Sequence, residues 1–275
     1  MRIGIWGSRG SIASAGPDTV RYGGNTSCIE VAAEGEPTII LDAGTGIRRL
    51  GAALGEPPAP IHILLSHLHL DHIQGLGFFG PLFRPECEIH VWGPPSTTAD
   101  LRTRLTAYLS PPLFPVRIPD LRSRVEFHDA PRGAWQIGRL RVRAASVLHP
   151  GPTLGYRIED SGSRSVVYIP DHEPALGGSD APRWTSGHGL AAGADLLLHD
   201  AQYTDDEYAA RVGWGHSSVR QTLAFAKRAG AGHLVLFHHD PAHDDEWLDR
   251  LVADAASASD GLSVSAAREG DTYEV

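Results

Sequence analysis

The sequence predicts an α/β fold in which two mixed sheets pack together and carry helices on their outer sides, an α/β/β/α sandwich. Three observations lead to this class: short β-rich runs recur, glycine and proline turns separate them, and helical patterns alternate with strands in both halves. Two sheets between two helical layers bury every apolar face that these elements present. We expect a single domain, 1–275, because no linker or low-complexity tract interrupts the chain.

The elements follow in order along the chain. The predicted strands are 2–6, 27–33, 37–44, 61–66, 87–93, 124–129, 140–147, 153–160, 165–171, 194–200 and 233–239. The predicted helices are 45–54, 96–109, 217–230 and 243–257. Ser217 or Ser218 suits the N-cap of the third helix, and Gly230 suits its end.

Composition narrows the functional class. The chain has 275 residues, a formal net charge of -9 and two cysteines. The negative charge disfavours a nucleic acid polymer as partner, because phosphate backbones are bound by basic patches. Two cysteines provide no disulfide framework and fit a reducing compartment. The start lacks the long apolar region of a signal peptide, and no run approaches the roughly 18 apolar residues of a membrane span, so we expect a cytoplasmic protein.

Residues 66–75, SHLHLDHIQG, crowd four titratable side chains into six positions: His67, His69, Asp71 and His72. Neutral imidazole and carboxylate are ligands that Zn²⁺ uses. The His-x-His spacing lets two imidazoles face one ion, while Asp71 and His72 point elsewhere and favour a second ion nearby. Two ions about 3.5–4 Å apart can clamp both oxygens of a displacement reaction. The segment therefore predicts a two-metal site.

Further polar residues end other predicted strands. They are His149, Asp171, His199, Asp200, His238, His239 and Asp240. Open α/β sheets bind ligands at the carboxyl ends of their strands, so these residues could converge with 66–75 at one edge. For any single one of these histidines the alternative is an ordinary hydrogen-bonded residue. Of His238 and His239, one is expected to be a ligand and the other a packing residue.

Several segments resemble one known family. SHLHLDHIQG resembles the H-x-H-x-D-H signature of the metallo-β-lactamase fold hydrolases, and the resemblance extends over nearly the whole chain. GSRGSIASAGPDTVRYGGNTSCIEV, DHIQGLGFFGPLF, LLLHDAQY, GWGHSS and LFHHDP resemble the branch that contains ribonuclease Z and cyclic-nucleotide phosphodiesterases. The resemblance implies a four-layer αββα sandwich and a metal-dependent hydrolase.

The resemblance also implies a ligand set for two divalent ions. One ion would be held by His67, His69 and His149, the other by Asp71, His72 and His238, and Asp171 would bridge them. His238 is preferred to His239 because it directly follows the apolar strand LVLF, as the terminal histidine does in ribonuclease Z. Zn²⁺ is the expected ion, although Mn²⁺ and iron use the same ligands.

Catalytic roles follow from two further matches. LHDA, 198–201, stands where ribonuclease Z has histidine-glutamate-alanine-threonine, so Asp200 replaces the glutamate. GHSS, 215–218, stands where that group has histidine-serine-threonine. The resemblance implies that His216 is the general acid, that Asp200 orients it, and that Asp71 belongs to the catalytic set. The alternatives are a helix-cap neighbour for His216 and a core hydrogen bond for His199.

The substrate class is less determined. The long arm with which ribonuclease Z grips transfer RNA has no counterpart in the sequence, which indicates a small phosphodiester, cyclic nucleotides included. A carboxylic ester, lactone or thioester substrate is the alternative, and a metal-binding protein without turnover is a third. A homodimer is left open.

Other segments are candidates for the walls of the pocket. Residues 94–124 could supply Tyr108 and Phe114, with Phe79 beside them, although all three also suit the core. The glycine-rich segments 7–11 and 22–27 could bring backbone amides to a phosphate, or simply make tight turns.

Overall fold

The computed structural model describes residues 1–55, 60–131, 133–174 and 185–275. Across these residues, fourteen strands form two sheets of seven, ordered β14-β1-β2-β3-β4-β5-β6 and β13-β12-β11-β10-β9-β8-β7. The strands are β1 Arg2–Gly7, β2 Cys28–Ala32, β3 Thr38–Leu41, β4 Ile61–Leu64, β5 Glu88–Gly93, β6 Arg124–Asp129, β7 Gly133–Ile137, β8 Leu140–Ser146, β9 Leu154–Glu159, β10 Ser165–Ile169, β11 Leu196–Asp200, β12 His233–Phe237, β13 Ser263–Ala266 and β14 Thr272–Glu274.

The helices are α1 Ile47–Ala53, α2 Leu70–Ile73, α3 Leu101–Thr106, α4 His188–Ala191, α5 Asp205–Ala209, α6 Val219–Ala229 and α7 Asp245–Ser257. The predicted helix 96–109 is shorter than expected, because Asp100 caps it by accepting a hydrogen bond from the Thr103 N–H. Ser218, not Ser217, caps α6, and Gly230 ends that helix with φ 66°. None of the helices in the described part of the chain is long and apolar enough to cross a membrane.

Three apolar cores separate four layers. One core lies between the two sheets and includes Ile5 and Tyr156. A second lies between the first sheet and helices α1 and α3, and a third lies between the second sheet and α4, α6 and α7. The predicted αββα sandwich is confirmed. Strands β7, β13 and β14 were not predicted, because they are short and each has at most one buried residue, so they lack the apolar run of a core strand.

Strand direction brings the loops of the two sheets together. Strands β3 to β6 run parallel in the first sheet, and β10 to β13 run parallel in the second. Strand β8 has the direction of β10, because both are antiparallel to β9. The end of β4 in the first sheet meets the start of β9 in the second sheet. There the Leu154 N–H donates to Ser66 O at 2.9 Å and Tyr156 Oη donates to Leu65 O at 2.7 Å. The loops after β4, β8, β10, β11 and β12 therefore share one end of the sandwich.

Candidate active site

Seven sequence-predicted ligands meet at this end of the sandwich. They are His67, His69, Asp71, His72, His149, Asp171 and His238, and we call them the cleft cluster. All are buried except His69, which is exposed. Their strands explain the convergence, since the apolar runs of β4, β8, β10 and β12 stop within a few residues of each side chain.

The first group of donors is His67, His69 and His149, whose nearest ring nitrogens all lie within 4.8 Å of one another. His149 Nε2 lies 3.2 Å from His69 Nδ1. The other nitrogen of His149, Nδ1, donates to Gly215 O at 2.8 Å, which leaves the Nε2 lone pair facing the group. Gly215 has φ 91°, and a Cβ there would lie 2.3 Å from His149 Nδ1, so this contact needs a glycine.

The second group is Asp71, His72 and His238. His238 Nε2 lies 3.1 Å from Asp71 Oδ2 and 3.3 Å from His72 Nε2. The opposite nitrogens are occupied: His72 Nδ1 donates to Asp42 Oδ2 at 2.7 Å, and His238 Nδ1 donates to Gln202 Oε1 at 3.0 Å. Both Nε2 atoms therefore present lone pairs to one point, the arrangement in which histidine binds a metal.

Asp171 lies between the two groups. Its Oδ2 is 3.7 Å from the Nε2 atoms of both His67 and His149. Its Oδ1 is 3.1 Å from His72 Nε2 and 3.4 Å from His238 Nε2. Each carboxylate oxygen thus faces a different group of imidazoles, which is the geometry a bridging ligand requires.

The donors fit divalent metal ions. His67 Nε2 and Asp171 Oδ1 are buried and make no hydrogen bond, and buried polar atoms without partners are costly. The Nε2 atoms of His72 and His238 also face each other beside the carboxylates of Asp71 and Asp171, an arrangement that a cation between them would stabilise. A site of nitrogen and oxygen donors suits Zn²⁺, Mn²⁺ or iron.

The pKa values of the histidines in the cluster are shifted in opposite directions. Burial, aided by His72, holds the pKa of His67 well below its usual range, so this imidazole is neutral and ready to bind an ion. Burial also lowers the pKa of His72, but Asp171, Asp71 and Asp42 outweigh burial and raise it well above the usual value. A bound cation takes over the role of that proton, because positive charge nearby favours neutral imidazole.

His216 and Asp200 lie directly beside the cluster. His216 Nδ1 donates to Asp200 Oδ2 at 2.8 Å, and its ring stacks on that of His238 with centroids 5.0 Å apart. Burial lowers the pKa of His216, yet the nearby carboxylates, Asp200 first, outweigh burial and raise it to about 9. His216 also lies within 4.8 Å of His149 and Asp171, but its Nδ1 is committed to Asp200.

Two other histidines at strand ends point elsewhere. His239 Nε2 donates to Ala267 O at 2.9 Å, and burial lowers its pKa to about 3. His199 Nε2 pairs with His172 Nδ1 at 3.0 Å, and burial lowers the pKa of His199 to about 4. Neither side chain faces the cleft cluster, and both are held by hydrogen bonds in the core.

Sequence reasoning missed the residues that hold the donors in place. Asp42 accepts from His72 and from Ser66 Oγ and Tyr168 Oη, both at 2.8 Å. Glu173 accepts from the N–H groups of Gly213 and Gly215, and so holds the loop that leads to His216. These contacts join distant parts of the chain. The only local signal was that Asp42 directly follows strand β3, as the other site residues follow theirs.

The glycine-rich segment 7–11 packs against the cluster. Ser11 N–H donates to Asp71 Oδ2 at 2.7 Å. A Cβ on Gly10 would lie 2.4 Å from His238 Nδ1, so only glycine lets the backbone pass this ring. The segment thus holds two cluster residues, Asp71 and His238, in place.

Two cavities lined by residues that the structure describes open onto the cluster. One, of about 440 Å³, is lined by Ser11, Leu68, His69, Leu70, Asp71, Asp171, His216 and His238. The other, of about 640 Å³, extends from His67 and His69 along Ser96, Thr97, Thr98 and Arg104. A third cavity, of about 430 Å³ between α6 and α7, shares no residue with the cluster.

The expected aromatic walls belong to the core instead. Phe79 and Phe114 are buried in the core beside α1 and α3. Tyr108 packs against the same core and donates its hydroxyl to Gln74 O. None of the three is among the described residues that line either cavity.

Comparisons with known proteins identify related sequences and related folds. A family model described as "Beta-lactamase superfamily domain" matches residues 38–239. Ribonuclease Z of Mycobacterium bovis is 31% identical over 254 residues, covering 84% of this chain and 86% of that protein. Zn²⁺-bound PqqB from Methylobacterium extorquens matches with a TM-score of 0.73 and 18% identity over 100% of both chains.

A diphosphatase from the PhnP family matches with a TM-score of 0.71 and 18% identity, covering 100% of this chain and 97% of that chain. At such identities the two solved structures establish the shared fold alone. The family match covers most of the chain and contains the whole cleft cluster. The chain therefore belongs to the beta-lactamase superfamily, in the branch of metal-dependent hydrolases that includes ribonuclease Z.

Proposed function

We propose that this protein hydrolyses a small phosphodiester, with two divalent ions, Zn²⁺ by preference, held by the cleft cluster. The first ion is assigned to His67, His69 and His149, the second to Asp71, His72 and His238, and the bridge to Asp171. The chain 1–275 is proposed to act as one domain.

The observation that carries phosphodiester over ester chemistry is the pair His216–Asp200, 2.8 Å apart beside the cluster. An alkoxide that leaves from phosphorus is strongly basic and needs a proton. His216 lines the cavity, while its Nδ1–H is fixed by Asp200, so Nε2 is the atom that hands over the proton. In ester or lactone cleavage the nucleophile first adds to the polarised carbonyl, and that step needs no proton on the leaving oxygen.

The protein's own residues orient the side chains that would hold the ions. When bound, divalent ions supply a nucleophile at neutral pH and neutralise charge that develops on phosphoryl oxygens. Asp42, Gln202 and Gly215 O fix the tautomers of the ligand histidines, so little reorganisation is needed. Ser11 N–H holds Asp71 at the angle from which it faces His238.

The walls of the cleft favour a small substrate. Arg104 is the single lysine or arginine among the described residues that line the two cavities. Its guanidinium is already engaged, with Nη2 donating to Pro94 O at 2.6 Å and lying 3.6 Å from Asp129. The chain carries a net charge of -9. A long RNA backbone needs several cations along its path, whereas one compact phosphodiester needs only the ions and a few hydroxyls.

A substrate panel tests the proposal. Metal-loaded protein is assayed on bis(p-nitrophenyl) phosphate, on 2′,3′- and 3′,5′-cyclic nucleotides, on lactones and thioesters, and on a precursor transfer RNA. We expect turnover of the diesters above that of all other classes. Efficient, site-specific trimming of the transfer RNA 3′ end, or faster lactone than diester turnover, contradicts it.

A further inference from the structure

A second group of imidazoles and carboxylates lies on the first sheet, outside the cleft. His90 is on β5, and Glu126 and His128 are on the neighbouring strand β6, the edge of the sheet. The strands are parallel, and His90 is paired in register with Glu126. Ile89 and Val91 point from β5 into the core beside α3, so His90 projects from the opposite face. We call His90, Glu126 and His128 the sheet-face cluster.

The donor atoms of this cluster lie at metal-binding separations. His90 Nδ1 is 2.9 Å from His128 Nε2, while Glu126 Oε2 is 3.7 Å from His90 Nδ1 and 3.9 Å from His128 Nε2. The point equidistant from three atoms so spaced lies about 2.1 Å from each, which is the length of a zinc–nitrogen or zinc–oxygen bond. We propose that the sheet-face cluster is a further binding site for a divalent transition-metal ion such as Zn²⁺ or Ni²⁺.

Surrounding contacts prepare His90 for this role. Its Nε2 donates to Glu88 Oε1 at 3.1 Å, which leaves the Nδ1 lone pair facing His128. A carboxylate behind a ligand histidine is the usual support of a zinc site. His90 stacks on His62 with ring centroids 4.8 Å apart, which restrains its ring plane.

The ring of His128 is also restrained by a neighbouring ring. Its ring stacks on Trp92 with centroids 4.2 Å apart. Burial, together with the neighbouring His90, lowers the pKa of His128, which favours the neutral form of the imidazole that binds metal ions. The hydrogen bond between the two rings is the contact that an ion would replace.

Arg124 is the natural competitor for the carboxylate. Its Nη2 donates to Glu126 Oε1 at 2.5 Å, and its Nη1 lies 3.6 Å from Glu88 Oε2. The oxygen of Glu126 that faces the histidines is the other one, Oε2. A cation and Arg124 can therefore share this carboxylate, each on its own oxygen. Such an ion would tie the edge strand β6 to β5.

The experiment counts metal ions in untagged, full-length protein. Wild-type protein is equilibrated with Zn²⁺, desalted and analysed by elemental mass spectrometry, alongside His90→Ala and His128→Ala. We expect one equivalent beyond the cleft ions in the wild type and its loss in both variants, with diester turnover within about twofold of wild type. His233→Ala is the matched control, because His233 is a half-buried strand histidine whose partner is Ser265 Oγ.

Two further measurements exclude misfolding as the cause. Glu126→Gln keeps size and hydrogen bonding, and it should also lose the additional ion while unfolding at the wild-type temperature in chelator. Anomalous scattering at the zinc edge from Zn²⁺-soaked wild-type crystals should give a peak between His90 and His128. Absence of that peak, or retention of the additional equivalent in His128→Ala, overturns the proposal, whatever substrate the cleft hydrolyses.

Discussion

The cleft cluster and the sheet-face cluster use the same donors in different surroundings. In the cleft, Asp171 is 1% exposed and His72 is fully buried. On the sheet face, the side chain of Glu126 is 36% exposed and that of His128 is 28% exposed. Buried charges interact strongly because little water screens them, whereas partly exposed charges are screened by water and salt.

Their supports differ as well. In the cleft, buried partners hold the far nitrogens of His72, His149 and His238. On the sheet face, the one such partner among the described residues, Glu88, is itself 38% exposed. Imidazoles and carboxylates thus lie close together in both places, but those of the cleft have more buried hydrogen-bond partners. We therefore expect the sheet-face cluster to hold its ion less tightly than the cleft holds its ions.

The largest expected effect is a difference between alanine substitutions at two adjacent histidines, His238 and His239. His238→Ala should remove one cleft ion and lower diester turnover on the order of 10³-fold or more, because the second group loses a donor. His239→Ala should keep both ions. It should lower the free energy of unfolding by about 1–3 kcal/mol, because Ala267 O is left buried without its donor.

Elemental analysis and chemical denaturation measure the two outcomes. Neither variant should change the ion on the sheet face. A His239→Ala protein that loses a cleft ion while His238→Ala retains both would reverse the assignment.

The second effect concerns proton transfer. His216→Ala should slow hydrolysis of a diester with an alkyl leaving group by about 10²–10⁴-fold and hardly affect a p-nitrophenyl diester, whose leaving group needs no proton. Asp200→Asn should act in the same direction more weakly. Metal content should not change, because neither residue is assigned as a ligand.

Parallel assays on the two diesters, with elemental analysis, give the answer. Equal losses on both substrates, or loss of an ion from His216→Ala, would show that this histidine has another role.

The convergence of the cleft cluster was predictable because its members come after apolar strands in the sequence. The run before His149 or Asp171 marks a buried strand, and the direction of parallel strands brings their ends together. Their supports were not predictable, since Asp42, Glu173 and Gln202 are ordinary polar residues until the fold brings them to a histidine. Which of the two histidines faces the cluster is seen only in the fold: the His238 ring lies against Asp71, whereas the His239 ring donates to Ala267 O.

The sheet-face cluster was not predicted from the sequence at all. In the sequence, HVWG and FHDA carry single histidines inside predicted strands, and nothing local links His90 to His128. Only the register of β5 and β6, which pairs Trp92 with His128 and His90 with Glu126, brings them together. Register depends on the whole sheet, so a motif search along the chain cannot find such a site.

A third prediction tests the buried support of the cleft. Asp42→Asn should weaken metal affinity by about 10–100-fold. Both oxygens of the Asp42 carboxylate accept hydrogen bonds, from Ser66, His72 and Tyr168. In asparagine one of these oxygens becomes an NH2 group, which cannot accept from the donors that face it. Asparagine tolerates the positive φ of this position, 61°, so the backbone is not strained. Competition with a chelator of known affinity measures the change, and unchanged affinity would remove Asp42 from the role of support.

The smallest effect is expected for the matching change on the sheet face, Glu88→Gln. The glutamine oxygen can still accept from His90 Nε2, so the tautomer that presents Nδ1 to the ion survives. The lost charge matters little, because Glu88 is 38% exposed and its field is screened by water. We expect Zn²⁺ affinity at the sheet-face cluster to fall by less than about tenfold, against 10–100-fold for Asp42→Asn in the cleft. The same chelator competition measures both. A loss as large as that of Asp42→Asn would mean that exposure does not decide how strongly a carboxylate supports a ligand histidine, and the distinction between the two clusters would then rest on burial of the donors alone.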